Sequence, residues 1–307
     1  MKRKVIQIAD STQLISLPRK WTLKYNIKKG DEIEVEEQGN KVVISTENNM
    51  DKGTVEINPP HLKNITERYI TVSFRAGVDE IKINYDSAKN PELLEYINKT
   101  LDGQTIGYEI IKQERNLFII KDLSGNDTAG FDTALRRSFS IISSLATDSV
   151  EAVRKKDSHA LRDMYIRDRS INKFTNFCCR LLLTKGEFDL KKTAFYYHFI
   201  RSLEDMADQY SLMSTYYEPK PGRVHNSIFE SFETVNQNLF ELFELYYNYD
   251  KVKLNELFMK IKSLDLIIPT LFKLPNNDPV IVYYLLNIHL RIKELIVNLI
   301  ELNLENG

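Results

Sequence analysis

Hydrophobic and polar positions change rhythm twice along this chain. Between Val5 and Ser45 the apolar residues come in short alternating runs. Gln13 to Leu17 leads into Pro18, and Ile33-Glu34-Val35 and Val42-Val43-Ile44 flank a Gln38-Gly39-Asn40 turn. Period-two alternation broken by turn residues predicts two hairpins, and the basic and aromatic stretch after Pro18 predicts one helical turn joining them. A polar linker, Glu47 to Gly53, closes this part. Asn58-Pro59-Pro60 then offers an N-cap with prolines in the first helical turn, and Leu62, Ile65, Tyr69, Val72 and Ala76 recur at helical spacing. Strand Ile81-Lys82-Ile83 follows, then a helix opened by Asn90-Pro91 and holding Leu94 and Ile97. A hairpin of Tyr108 to Ile111 and Leu117 to Ile120 around Gln113 to Asn116 completes a small α+β module.

From Asp127 onward the period is helical. Phe131, Leu135, Ile142, Leu145 and Ala152 mark one apolar stripe, Met164, Ile171, Phe174, Cys178 and Leu181 a second, and a third helix spans Leu190 to Tyr217. Glu218-Pro219-Lys220-Pro221-Gly222 breaks the pattern. Ile228, Phe232, Val235, Leu239 and Phe243 begin a second set, Leu254, Leu257, Ile261 and Leu264 continue it, and a last helix runs to Leu304 after a proline-bearing loop from Pro269 to Pro279. Three helices, a breaker and three helices point to a duplication. Arg201, Glu204 and Asp208 on the third helix recur as Arg291, Glu294 and Asn298 on the sixth, at a constant offset of 90 residues.

Four domains follow: residues 1–47, 54–123, 127–217 and 222–304. The fold class is α+β multidomain, with a swapped-hairpin β-barrel first, a small α+β middle module next, and a C-terminal all-α pair of three-helix bundles. The middle module shows no chemistry of its own and reads as a scaffold or spacer.

Charge changes the picture in one place. The chain carries a formal net charge of -1, so it has no overall attraction for nucleic acid. Through Lys29, however, eight basic residues face one acidic residue, Asp10, and the run Asp31, Glu32, Glu34, Glu36, Glu37 then reverses the sign. Such local asymmetry suits a field aimed at a polyanion. The two cysteines, Cys178 and Cys179, are adjacent on a helix and point about 100° apart, which predicts reduced core thiols and a cytoplasmic address. No apolar run is long enough to span a bilayer and no signal peptide follows the first residues. The five histidines are scattered, with His198 and His289 expected at helix margins. No phosphate-binding loop, dinucleotide fingerprint, nucleophile elbow or zincin motif is present, so no enzyme is expected.

Glu204 and Asp208, four residues apart, project to one face of a helix and could chelate a cation. The apolar stripe Phe199, Leu203, Met206, Tyr210 and Met213 lies nearly opposite. That geometry predicts a solvated polar face with an Arg201 to Asp205 ion pair and argues against a buried centre.

Two resemblances attach to these motifs. Leu-Ile-Ser-Leu-Pro, eight residues, then Ile-Lys-Lys-Gly-Asp-Glu-Ile-Glu-Val (Leu14 to Val35) resembles the SpoVT/AbrB swapped-hairpin family. This implies a barrel interlaced between two copies, with a basic face on DNA. About 45 residues bury too little apolar surface to stand alone, which supports a homodimer independently. Relatives carry arginines where this chain has Thr22 and Leu23, and a basic residue in place of Leu14. The DNA-facing set is therefore Arg3, Lys4, Arg19, Lys20 and Lys24, largely phosphate contacts. A barrel used only for dimerisation is the alternative.

The duplicated three-helix units with an E-x-x-x-D-like signature are similar to the PhoU family of phosphate-uptake regulators. That resemblance implies a surface metal cluster, divalent or of iron or zinc, on Glu204, Asp208, Glu294 and Asn298, with the second site weakened because Asn298 adds no charge. It also implies a phosphate-transporter ATPase or signalling protein as partner. The order of parts resembles archaeal phosphate regulators. The expected function is a DNA-binding regulator that negatively controls phosphate transport; the alternative is an adaptor that restrains a transporter without binding DNA.

Overall fold

The computed structural model describes residues 2–8, 12–38, 41–45, 53–58, 65–86, 88, 90–124, 130–185, 190–219 and 222–304. The Gly39-Asn40 part of the first turn, most of the 47–53 linker, the Pro59-Pro60 helix start, Leu62 and Asp127 lie outside them. The chain divides into two units, Met1–Lys52 and Gly53–Gly307, in an α+β multidomain arrangement.

In the first unit, β1 (Ile6–Ile8) pairs antiparallel with β2 (Thr12–Leu14), α1 (Arg19–Lys24) follows Pro18, and β3 (Glu34–Gln38) pairs antiparallel with β4 (Lys41–Ser45). Register decides what each hairpin presents. Ile6 lies opposite Leu14 and Ile8 opposite Thr12, so one face of the first hairpin is apolar and the other carries Gln7 and Gln13. In the second, Val35 opposite Ile44 and Glu37 opposite Val42 share a face. Among the residues of this unit with a described environment none is buried, and Val35 and Val42 are each 61% exposed. Two separate two-stranded sheets stand where the sequence predicts a barrel, each hairpin pairing only within itself among the described residues.

The second unit begins with a four-stranded sheet in the order β5-β6-β8-β7: β5 (Thr54–Ile57), β6 (Glu80–Asn84), β7 (Tyr108–Glu114) and β8 (Leu117–Asp122). β5 and β6 are parallel and the other pairings antiparallel. Strand β5 has no counterpart in the sequence reading, since four residues following a polar linker give no period. Helices α2 (Thr66–Arg75) and α3 (Leu93–Gln104) close one core with Ile57, Ile81, Ile83, Phe118 and Ile120. The stripe assigned to α2 is on the wrong face. Ile70 and Phe74 are buried, whereas Ile65, Tyr69 and Val72 are exposed. Both sets have helical spacing, and only the sheet's position selects between them.

Six long helices follow: α4 (Gly130–Lys155), α5 (Ser158–Lys185), α6 (Leu190–Tyr217), α7 (Asn226–Tyr247), α8 (Lys251–Leu271) and α9 (Pro279–Leu302). They share one continuous core, in which Phe139 stacks on Phe243 and Phe199 on Tyr246. Pro269 lies inside α8 rather than in a loop, since burial of Ile268 and Leu271 carries the helix past it. Asp250 and Asp278 cap α8 and α9 by accepting backbone N–H bonds.

The middle module is anchored to α5 by polar side chains. Arg180, almost fully buried, donates to the carbonyls of Phe74 and Val78, pairs with Asp122, and lies over the rings of Phe74 and Tyr108. Those carbonyls end α2, where Gly77 turns the chain with φ +81°, so the guanidinium serves as the helix's C-terminal cap. Asn176 donates to the Gln104 carbonyl at 3.0 Å and Arg169 to the Lys99 carbonyl at 3.0 Å, so α3 is capped by the same helix. Gly103 permits this approach, since a Cβ there would meet Arg169 Nε at 2.6 Å.

Replacing Arg180 by Met should leave the Asp122 carboxylate, only 10% exposed, without its cation and remove one donor each from the Phe74 and Val78 carbonyls, destabilising the second unit by roughly 3–5 kcal/mol. Urea unfolding followed by far-UV circular dichroism checks this, since the single Trp21 reports only on the first unit. An unchanged midpoint would refute the anchoring role.

Candidate nucleic-acid interface and carboxylate centre

In the first unit, Arg3 and Lys4 lie in the extended segment before β1, and Arg19, Lys20 and Lys24 ride on α1. Lys20 and Lys24 stand one turn apart on one face of that helix. All five are exposed, and none forms an ion pair with another described residue. Lys24 lies 5.1 Å from the Tyr25 ring centroid, and Trp21 packs on Tyr25, which fixes the helix's aromatic side. Leu14 and Leu23, where relatives of the first motif carry basic residues, are exposed apolar side chains. The acidic residues Glu34 and Glu37 are on the separate β3-β4 hairpin, so the reversal of sign in sequence becomes a separation between elements.

In the second unit, Glu204 and Asp208 are not on a solvated face. Helix α5 packs along α6 and covers them, so both are partly buried, a correction to the sequence reading. Thr175 on α5 donates to Glu204 Oε2 at 3.3 Å, and Arg201 pairs with Glu204 rather than with Asp205, which instead meets Arg291 at 3.6 Å. Asp208 meets Asp168 of α5, which is 8% exposed. Burial pushes the Asp168 carboxyl far above the usual carboxylate range, and the Asp208 charge and hydrogen bond push the same way. Asp208 is raised as well, by burial and by Asp205, while Arg201 and Arg68 pull against this. Both carboxyls are thus held toward the protonated form, in each case chiefly by burial. Asp168 Oδ1 and Asn172 Oδ1 are buried with no hydrogen-bond partner. Asp168, Asn172 and Thr175 were missed, yet their i, i+4, i+7 spacing, which puts three polar side chains on one face of a helix, was the available signal.

The second copy of the signature is built differently. Glu294 accepts from Arg291 at 2.8 Å and from His198 Nε2 at 3.1 Å. Burial works to raise its pKa, but those two bonds hold it below the usual range. Asn298, fully buried, donates from Nδ2 to His198 Nδ1 at 2.9 Å and to Glu301 at 3.0 Å. His198 therefore accepts at Nδ1 and donates at Nε2, the neutral tautomer. His198 bridges α6 and α9 in mid-helix, and the buried His289 bonds Asp265 on α8 at 2.8 Å. Neither is marginal, as their positions in sequence had suggested. Each centre keeps buried oxygens without donors, Asp168 Oδ1 and Asn172 Oδ1 in the first and Asn298 Oδ1 in the second, but in the second the carboxylate of Glu294 is already bound by Arg291 and His198.

Buried oxygens without donors fit a hard cation better than they fit a purely structural contact. Among the described residues, no three His, Cys, Asp or Glu side chains converge closely enough to hold a metal ion as they stand. No helix among those residues is long and apolar enough to cross a membrane.

Asp168 binds its proton more tightly folded than unfolded. Its contribution is fully present below the unfolded carboxylate pKa and is lost as pH rises through the raised folded value. Stability should therefore fall between about pH 4 and about pH 7, and Asp168→Asn should remove that fall and melt higher at the upper end. Thermal melts at the two pH values check this; a variant less stable than the parent at both would contradict it.

Residues 6–50 match the family described as antidote-toxin recognition MazE, bacterial antitoxin. No curated protein matches the chain. Among solved structures, the phosphate transport system regulatory protein PhoU from Streptococcus pneumoniae is similar at 15% identity and a TM-score of 0.49. That likeness covers 57% of this chain and 95% of that one.

Proposed function

We propose that this chain is a dimeric DNA-binding regulator of phosphate uptake, in which the first unit of two copies interlocks on DNA and the helical body senses status or meets a protein partner. The observation that carries the reading is the pair of hairpins, each with one apolar face left open. A second copy supplies the missing cover and gathers Arg3, Lys4, Arg19, Lys20 and Lys24 from both chains onto one surface. The match of residues 6–50 supports the same view. The link to phosphate rests on the duplicated signature Arg201-Glu204-Asp208 and Arg291-Glu294-Asn298, and control in the negative sense belongs to that reading.

Binding of this kind is dominated by phosphate contacts, so affinity falls steeply with salt. In an anisotropy titration across salt concentrations, the Arg19→Ala, Lys20→Ala, Lys24→Ala triple variant should bind more weakly. It should also lose about one unit of salt slope for each phosphate contact removed. The alternative, an adaptor whose first unit only dimerises and whose helices restrain a transporter, is motivated by Thr22 and Leu23 in place of arginine. Unchanged affinity and slope in the triple variant would favour that adaptor.

The first carboxylate centre is assigned to a divalent cation, held by Asp168, Asp208 and Glu204. A bound cation there would supply positive charge between the two facing carboxyls and favour their ionised forms. Titration calorimetry with Mn2+ or Zn2+ should show uptake with proton release. Asp208→Asn should weaken it by at least about tenfold, the loss usual for removing even an outer-shell partner. Equal uptake by the variant would discard the site.

A further inference from the structure

Helix α9 has no exposed charge. Its exposed residues are Pro279, Tyr283, Leu290, Val297 and Ile300, whereas Arg291, Lys293, Glu294 and Glu301 are only partly exposed and are hydrogen-bonded within the chain. The positions of this helix that stand fully open to solvent are thus all apolar, the reverse of the usual amphipathic arrangement. Tyr283, Leu290, Val297 and, just past the helix end, Leu304 are 54%, 46%, 53% and 63% exposed. They are spaced by seven residues, two helical turns, and so form a straight ridge opposite the core positions Leu285, Ile288, Ile292 and Leu299. On α8, held beside α9 by the bonds of Asp265 to His289 and Lys293, the exposed Val252, Met259 and Leu266 repeat the same spacing.

We infer that this ridge is covered by α9 of a second copy of the chain, packed parallel and in register about a twofold axis along the helices. Three observations select that occupant. A seven-residue apolar spacing matches itself without displacement when two such helices run parallel. The charges beside the ridge discriminate between orientations: Lys293 lies on the α8 side and Glu294 on the α6 side. In a parallel pair each flank meets the opposite flank, so Lys293 approaches the partner subunit's Glu294. In an antiparallel pair like flanks would meet, lysine on lysine and glutamate on glutamate. A membrane surface fits poorly, because helices that lie on lipid carry cations on both flanks of the apolar stripe. Twofold pairing through the same patch on both chains is also the commonest form of protein self-association.

The test uses the full-length chain with one added cysteine, Leu290→Cys or Val297→Cys, under mild oxidation. Cys178 and Cys179 are buried, so the parent chain is the blank. Parallel pairing brings each new thiol opposite its own copy, within the about 5.5–6 Å Cα separation a disulfide needs. Each single variant should become mostly covalent dimer, while Leu212→Cys, exposed on α6 away from the ridge, should remain uncrosslinked. Covalent dimer only when the two variants are mixed would overturn the parallel register. No covalent dimer from either variant or the mixture would overturn self-association and leave the ridge to a different protein. Circular dichroism verifies the fold of each variant. DNA titration of the same variants reads the first unit alone, so failure of this inference and failure of the DNA-binding reading are separately visible.

Discussion

A buried polar side chain must find a partner, and α5 carries more of them than its own backbone can serve. Asp168, Asn172 and Thr175 form one polar stripe along this helix, and Arg169, Asn176 and Arg180 form another. The first stripe meets Glu204 and Asp208 on α6. The second reaches the carbonyl ends of α2 and α3 and the carboxylate of Asp122. The rest of the second unit is arranged around meeting these demands. The α+β module is therefore an integral part of the unit rather than a spacer, since without it Arg180 would be a buried cation facing apolar surface.

The carboxylate centre arises from the same constraint incompletely met. Where α5 and α6 close on each other, two carboxyls come together with too few donors. Burial favours the protonated form of both, which relieves the repulsion between them. In the second signature the same helical spacing places Asn298 where a carboxylate would be; its Nδ2 bonds His198 and Glu301, while its Oδ1 is buried without a partner. The two centres thus differ chiefly in charge, two facing carboxyls in the first and an amide in place of one of them in the second.

The first unit shows an unmet demand of another kind. Its hairpins are too small to enclose a core, and their alternating sequence leaves one apolar face on each. The ridge on α9 is a second instance. On both surfaces exposed apolar side chains lie beside charged ones.

The sequence by itself determined the helices, the two hairpins and their order, because the hydrophobic period depends only on local backbone geometry. The buried stripes of α4 to α8 lie at the positions their spacing indicates, and the basic residues of the first unit are as exposed as their charge requires. Only the tertiary structure decided which of two apolar stripes on α2 faces the core, whether α8 passes Pro269, and that four residues after the linker join a sheet. It also decided that Glu204 and Asp208 are covered and that Asp168 is their partner. Each of these depends on what packs against a residue from far away in the chain, and period, which records only neighbours along one helix or strand, carries no information about that.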